Sequence, residues 1–391
     1  MNTLIIFSAS MATIYFLAVK KETSQKINLF TLCLVMCTIM IRFFFTPQLL
    51  ENVVAVFLTL IFASVGLLFL GISPVSVFIS IIEGSILDLD SLSRVLLIGS
   101  IMSLSAFALI VTFSCNIWNI GIEGQMMMGA VGTVFIARTF LGDSVLAIPM
   151  EILTAMVFGS LFGLICGLLK TKSGVHEIFG GLGLDFVAAG LIVYLVVGPW
   201  KRDGIASTSG TDLIPELSWF PTLLEMKFPI LPVVIFLLAY LFLKFIYSRT
   251  SLGLKLKSVG SNKQAFSRLG LSSDNYILLG FVIAGAVVGL AGSIQAAGIY
   301  HKLVPNISGG YGFLGILIAL VSNRKLGVAI AISFIFSCLM VGGSTLQIKL
   351  GLHASLPGIV QAGLVLIWLL IKASSLDLKA INFVSRKLIH D

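Results

Sequence analysis

The sequence predicts an all-α polytopic membrane protein of about 10–12 hydrophobic segments, one of them broken or re-entrant near residues 116–129. Three observations carry this reading. Hydrophobic residues make up 58% of the 391 and charged residues only 11%, under half of the roughly 25% typical of a soluble domain, and mean hydropathy is +1.09. The apolar residues come in runs close to the ~20 that a helix needs to cross a bilayer, without the alternation of a barrel strand. Lys and Arg fall in short connections between the runs and near the C-terminus, the distribution that orients a multi-pass protein. The net charge of +8 therefore reflects topology and implies no nucleic-acid partner.

In order, the predicted spans of the first half are Leu4–Val19, Ile27–Phe45, Val53–Gly71, Val95–Phe113, Gln125–Phe140 and Val145–Leu169. Leu4–Val19 has its basic pair, Lys20-Lys21, behind it rather than ahead, so it reads as a retained anchor and not as a cleaved signal peptide. The second half continues with Ile178–Val197, Phe228–Tyr247, Tyr276–Gly292, a short Phe313–Val321, Leu326–Val341 and Leu356–Ile371. Lys170-Thr-Lys172, Ser248–Asn275, Asn323-Arg-Lys325 and the tail with Lys379, Arg386 and Lys387 then all face the cytoplasm, and the C-terminus with them. Counting backwards with every segment crossing places Lys20, Lys21 and Lys26 outside. Either those lysines break the rule or one early segment fails to cross; a re-entrant or half-spanning segment near Asn116–Gly129 is the favoured reading, and irregular backbone at membrane depth is tolerated only where protein or a cavity surrounds it.

That segment, Cys115-Asn-Ile-Trp-Asn-Ile-Gly-Ile-Glu-Gly-Gln-Met-Met-Met-Gly-Ala130, places amides, a carboxylate and glycines between two apolar stretches. One acid at the membrane centre costs about 2.5–3.5 kcal/mol, against about 0.3–0.6 gained for each Leu, Ile, Phe or Val. Asn119, Glu123 and Gln125 are therefore expected either to line a transport path or to tie a broken helix together. His176 and Glu177 follow the Lys170–Lys172 turn and serve either a path or the membrane interface. Asp185, about two turns beyond Glu177 in an apolar helix, most needs a partner or water and stands nearly alone as a deep charge. Trp118 and Phe186 fit either packing or stacking on a planar ligand.

Several classes are excluded by what the chain lacks. There is no Gly-x-x-x-x-Gly-Lys-Ser/Thr phosphate loop, no His-x-x-x-His zinc pair and no Gly-x-Ser-x-Gly element, so no enzyme active site, bound metal or bound cofactor is expected. The glycine-rich places at the ends of apolar runs (Gly180-Gly-Leu-Gly183, Gly309-Gly310, Gly342-Gly343) are expected to let helices approach closely. Cys33, Cys37, Cys115, Cys166 and Cys338 read as small buried hydrophobes. The two long polar stretches differ. Gly198–Lys227, with prolines, a Ser/Thr cluster and mixed charge, reads as an outward-facing loop. Ser248–Asn275 carries five basic residues against one acid and is built to meet a partner. Asn262 as N-cap and Gly270 as stop bound a short helix lying along the membrane.

In order and spacing, five segments resemble the permease subunits of bacterial ABC importers of the branched-chain amino acid, ribose and nucleoside type. They are Asn119-Ile-Gly-Ile-Glu-Gly-Gln125, Gly174-Val-His-Glu-Ile178, Gly198-Pro-Trp-Lys201, Arg249–Gly253 with Val259–Asn262 and Ala265, and Pro305–Phe313. The resemblance covers about Val53 to Ala373 and is closest to the nucleoside or simple-sugar branch. The chain departs from the pattern at His176 and in Leu184-Asp185-Phe186, where similar proteins tend to carry an asparagine. The resemblance implies an N-terminal hydrophobic extension over residues 1–50 and a permease domain over 51–391. It further implies a coupling loop at about 248–275, with Gly260, Asn262, Ala265, Arg268 and Gly270 meeting a cytoplasmic ATP-binding subunit that holds ATP and Mg. A second permease subunit, a shorter paralogue or a second copy, and a substrate-binding lipoprotein or periplasmic protein complete the assembly, in the bacterial cytoplasmic (inner) membrane. Nucleosides are the expected substrate, with simple sugars and flavins as alternatives. The rival of another class is a stand-alone secondary transporter, for which several charges at mid-membrane are expected.

Overall fold

The computed structural model describes residues 73–202, 209–222 and 229–350, with a few helical positions at 61, 64, 68, 358–359, 362–363 and 366. The chain divides into two compact units, Met1–Ile61 with Leu366–Asp391, and Phe62–Val365; the helices described belong to the second. The predicted spans Leu4–Val19 and Ile27–Phe45 lie outside the described residues, as do nearly all of Val53–Gly71 and Leu356–Ile371.

The elements are α1 (Pro74–Ile82), continued by a π-helical turn (Glu83–Leu87), α2 (Leu89–Ser114), α3 (Ile122–Ala137), α4 (Ala147–Thr171) and α5 (Glu177–Val197). After a short 3-10 turn (Glu216–Ser218) come α6 (Ile230–Arg249), α7 (Ser251–Ser261), α8 (Lys263–Arg268) and α9 (Ser273–Ser293) with a π-helical extension (Ile294–Tyr300). Helices α10 (Tyr311–Val321) and α11 (Leu326–Leu350) follow. Among the described residues six helices, α2, α4, α5, α6, extended α9 and α11, are long and apolar enough to cross a membrane, which makes this a multi-pass membrane protein. Pro74–Leu87, Ile122–Ala137 and Tyr311–Val321 are apolar but shorter. Helix α1 was not foreseen; Pro74 at its first position needs no N–H partner there, and a short run of nine residues falls below a span-length window.

Helix α2 is central, and the most apolar window within it is 83% buried. Its serines are accommodated inside the helix itself: Ser100, Ser103 and Ser105 donate to the carbonyls of Leu96, Gly99 and Ile101 at 2.7, 2.7 and 3.0 Å. Beside it, α3, α4 and α9 meet backbone to backbone. A Cβ placed on Gly159 would lie 2.2 Å from the Gly285 carbonyl oxygen, and one on Gly285 would lie 2.2 Å from that of Gly159. Equivalent contacts are 2.5 Å from Gly129 to the Gly289 backbone and 2.1 Å from Gly292 to the Met126 carbonyl. Between lipid-embedded helices the drive to associate is van der Waals packing, and glycine permits the closest approach. Of the glycines expected to do this, Gly181 (2.5 Å from the Gly121 nitrogen) and Gly342 (2.4 Å from the Ile81 carbonyl) do so, whereas Gly183 faces open space. Gly309 and Gly310 instead form a left-handed turn before α10, with φ of 59° and 76°. The closest seam lies mid-helix, where single glycines in apolar runs carry no local sign of it.

The outer surfaces of α5 and α6 are apolar. Phe179, Phe186 and Tyr194 on α5 and Leu238, Leu241, Phe242 and Phe245 on α6 are all exposed, as a bilayer requires. Cys115 and Cys166 are buried free thiols and Cys338 is partly buried.

Candidate functional site

Helix α2 ends at Ser114, and the chain crosses a non-helical segment to the N-cap of α3 at Gly121, with Asn116 in the left-handed region at φ 58°. Two buried amides hold this break closed. Asn119 Nδ2 donates to Gln125 Oε1 at 3.0 Å, and Gln125 Nε2 returns to Asn119 Oδ1 at 3.1 Å. Neither has meaningful exposure, so a lone amide there would leave polar atoms unmet in an apolar interior.

Gly121 has no side chain with which to cap α3. The cap comes instead from α5, where Asp185 Oδ1 accepts the Gly124 N–H at 2.7 Å. The same device recurs at α10, whose N-cap is Gly310: Glu123 Oε1, on α3, accepts the Phe313 N–H at 3.0 Å. In both cases a buried carboxylate serves the third N–H of another helix, one of the donors that an α-helix cannot satisfy itself. The positive end of the helix also favours negative charge, by about 0.3–1 kcal/mol and up to about 2 in partly buried geometry. Room for the second contact depends on Gly312, where a Cβ would stand 3.0 Å from the Glu123 carboxyl. Gln295 completes the junction, donating from Nε2 to the Ser308 carbonyl at 3.0 Å.

Four of the six residues proposed from sequence for the path, Asn119, Glu123, Gln125 and Asp185, are thus brought together around the α2–α3 break. His176 and Glu177 are not. They sit at the start of α5, where exposed His176 accepts the Ile178 N–H through Nδ1 at 3.4 Å and Glu177 is ion-paired with Lys170. Trp118 is 41% exposed and meets Phe113 edge to face at 5.2 Å. Phe186 is exposed on the outer face of α5, away from Asp185.

Asp185 was expected to stand nearly alone as a deep charge, and it does not: Glu123 and Glu151 are buried as well. Glu123 belongs to the broken region, and Glu151, one turn into α4 and near the Ser218 hydroxyl, has neither carboxyl oxygen in a well-formed hydrogen bond among the described residues. Among the described residues, the second oxygens of Glu123 and Asp185 and Oε1 of Gln295 are likewise without a well-formed hydrogen bond. Sequence reasoning missed Glu151 and Gln295, although each is a lone polar group in a long apolar run, the criterion that singled out Asp185.

The segment read as an outward loop folds onto the region after α9. Thr211 N donates to the Leu303 carbonyl at 2.9 Å, Ile214 N to the His301 carbonyl at 2.9 Å and Phe220 N to the Ala297 carbonyl at 3.1 Å. Trp219 stacks on His301 at 4.2 Å.

The expected short helix of the basic stretch is α8. Asn262 caps it, accepting the Ala265 N–H at 2.9 Å, and Gly270 follows with φ 77°. Asn262, Ala265, Arg268 and Gly270 are exposed, whereas Phe266 is buried. A second helix, α7, precedes it and was not foreseen. Gly260 on α7 packs against the last turn of α2, where a Cβ would fall 2.0 Å from the Ser114 carbonyl oxygen. One apolar cluster joins Cys115 and Ile117 of the break to Cys166 on α4, Leu256 and Val259 on α7, Phe266 on α8 and Phe281 on α9. The basic surface and the buried polar junction are therefore mechanically continuous.

Known proteins place this arrangement. The family described as branched-chain amino acid transport system / permease component matches residues 91–369. The chain belongs to that family. Among relatives of this permease, the guanosine ABC transporter permease protein NupP of Bacillus subtilis (strain 168) is 29% identical over 291 residues, covering 73% of this chain and 80% of the relative. The glucose ABC transporter permease protein TsgB13 of Haloferax volcanii is 28% identical over 326 residues, 80% of this chain and 85% of the relative. A second guanosine permease of B. subtilis, NupQ, is 29% identical over 235 residues, 57% of this chain and 73% of the relative. The match falls in the nucleoside and sugar branch that the sequence motifs indicated, and makes this chain a transport subunit.

Proposed function

We propose that this permease is the membrane subunit of an ATP-driven importer of nucleosides, set in a bacterial cytoplasmic membrane with α7, α8 and the C-terminus on the cytoplasmic side. The observation that carries the reading is the link between its basic surface and its buried polar junction: Gly260 seated on the Ser114 carbonyl, and Phe266 packed in one cluster with Ile117. A partner that pushes on α7 and α8 acts directly on the end of α2, next to the break that Asn119 and Gln125 hold closed. Gly260, Asn262, Ala265, Arg268 and Gly270 would meet an ATP-binding subunit, which supplies ATP and Mg. Two guanosine permeases of one organism among its relatives support both a nucleoside substrate and a second, paralogous permease as partner. A binding protein delivers the substrate to the opposite face. Import of a simple sugar is the second reading, favoured by the glucose permease relative.

The test is affinity purification from the native membrane in mild detergent, followed by uptake in vesicles reconstituted with what is recovered. Co-purification of an ATPase, and ATP-dependent uptake of labelled guanosine that excess glucose does not inhibit, is the expected result. Inhibition by glucose alone would move the substrate to the sugar branch. Recovery of the chain alone after crosslinking, with uptake driven by an ion gradient, would overturn the importer reading.

A further inference from the structure

Away from the junction, a cleft of about 310 Å³ opens where the last turn of α2, the final turns of α6, helix α7 and the turn between α10 and α11 converge. This volume is at the lower end of the ~300–1,000 Å³ of small-molecule sites. Three cations line it, Lys244, Lys257 and Arg324, together with Tyr240 and Tyr247, and no carboxylate does. None of the three is in an ion pair among the described residues. Each is placed by an aromatic ring instead: Lys244 lies 5.4 Å from the Tyr240 ring, Lys257 5.0 Å from the Tyr247 ring and Arg324 5.6 Å from the Phe113 ring. Such contacts position a cation without neutralising it. Arg324 is further fixed by donating to the Phe113 carbonyl at 3.1 Å, from a backbone at φ 61° that non-glycine residues seldom adopt.

A second observation names the ligand. Lys244 and Ser248 of the cleft fall on one face of α6 with Leu237, Leu241 and Phe245, at spacings of four, seven, eight and eleven residues from Leu237. Those three apolar side chains are 43, 57 and 57% exposed. An apolar, lipid-facing stripe thus runs straight into a cluster of unpaired cations at the end of the helix. A soluble anion would use the cations and leave the stripe idle, whereas a molecule with an anionic head and acyl chains uses both.

We infer that this cleft binds the headgroup of an anionic phospholipid, its acyl chains lying along α6. The chemistry does not depend on the transport reading; only the leaflet, the cytoplasmic one, follows from the orientation proposed above. The site abuts Ser114 and Lys257, so lipid occupancy bears on the same end of α2 as the α7–α8 pair.

The full-length protein in neutral detergent, without partner subunits, is titrated with dioleoyl-phosphatidylglycerol, dioleoyl-phosphatidylcholine or inorganic phosphate, and bound lipid is counted by native mass spectrometry. Phosphatidylglycerol should bind at least about tenfold more tightly than phosphatidylcholine, and millimolar phosphate should not displace it. Lys244→Gln with Lys257→Gln should lose about fivefold for each lysine removed, and Lys244→Arg with Lys257→Arg should keep the preference. Equal binding of the two lipids, or an undiminished preference in the glutamine pair, overturns the assignment. Displacement by phosphate alone would make the cleft a free-anion site instead. Because no transport is measured, an importer that fails the uptake test leaves this result standing, and the reverse.

Discussion

Helix α8 and the short helices α3 and α10 begin under opposite conditions. α8 starts at the surface, and its own Asn262 supplies the cap three residues on. α3 starts in the interior behind Gly121 and α10 starts half-buried behind Gly310, and their caps arrive from buried Asp185 and Glu123, 61 and 190 residues away in the chain. The bonds are alike in length and differ in consequence. An exposed N–H that loses its cap turns to water; a buried one in an apolar bundle has no such recourse. Exposed capping therefore tunes one helix, while buried capping decides whether three helices stay docked.

The contrast should break hardest at Glu123. Glu123→Ala strands the Phe313 N–H and should lower stability by about 1–3 kcal/mol, whereas Glu123→Gln keeps a carbonyl acceptor and should remain within about 1 kcal/mol of the parent. Thermal unfolding in detergent separates the two, and equal losses would mean that charge, not capping, is the role of Glu123. Asp185→Asn sharpens the comparison differently. The amide oxygen still accepts from Gly124, so assembly should be almost unchanged, while substrate uptake should fall if the second carboxyl oxygen serves the path. Normal uptake by a stably assembled Asp185→Asn protein would reduce Asp185 to a cap for α3. The most local effect belongs to Asn262→Ala, about 0.5–2 kcal/mol confined to α8. Hydrogen exchange should quicken over residues 263–268 and nowhere else; quickening across α3 would show that the two kinds of cap are not separable.

These regions also differ in how much the amino-acid order discloses. Asn262 and Gly270 bound α8 as expected because cap, helix and stop all lie within ten residues. The long spans were legible for a similar reason, since hydropathy is a local property, and the observed helices differ mainly at their ends: α11 runs on to Leu350, and α9 gains its extension to Tyr300. Asn119, Glu123, Gln125 and Asp185 stood out as chemically expensive in lipid, yet their partners could not be read. Gly124 and Phe313 contribute only backbone N–H groups, which every residue but proline possesses. Glu151 and Gln295 escaped notice although their types are no less costly at depth. Helix α7 was hidden by its composition, polar and basic enough to resemble the loop around it. The spans before Val53 and the proposed domain division lie outside the described residues.

The glycine seam has a mechanical corollary. Where Gly159 faces Gly285, and Gly129 faces Gly289, no side chain stands between the backbones to change rotamer and permit sliding. Helices joined in this way leave no room for a side chain between them, so α3, α4 and α9 form a closely packed core. Around that core stand the α2–α3 break at its edge, and α5 and α6, whose outer faces are apolar and exposed.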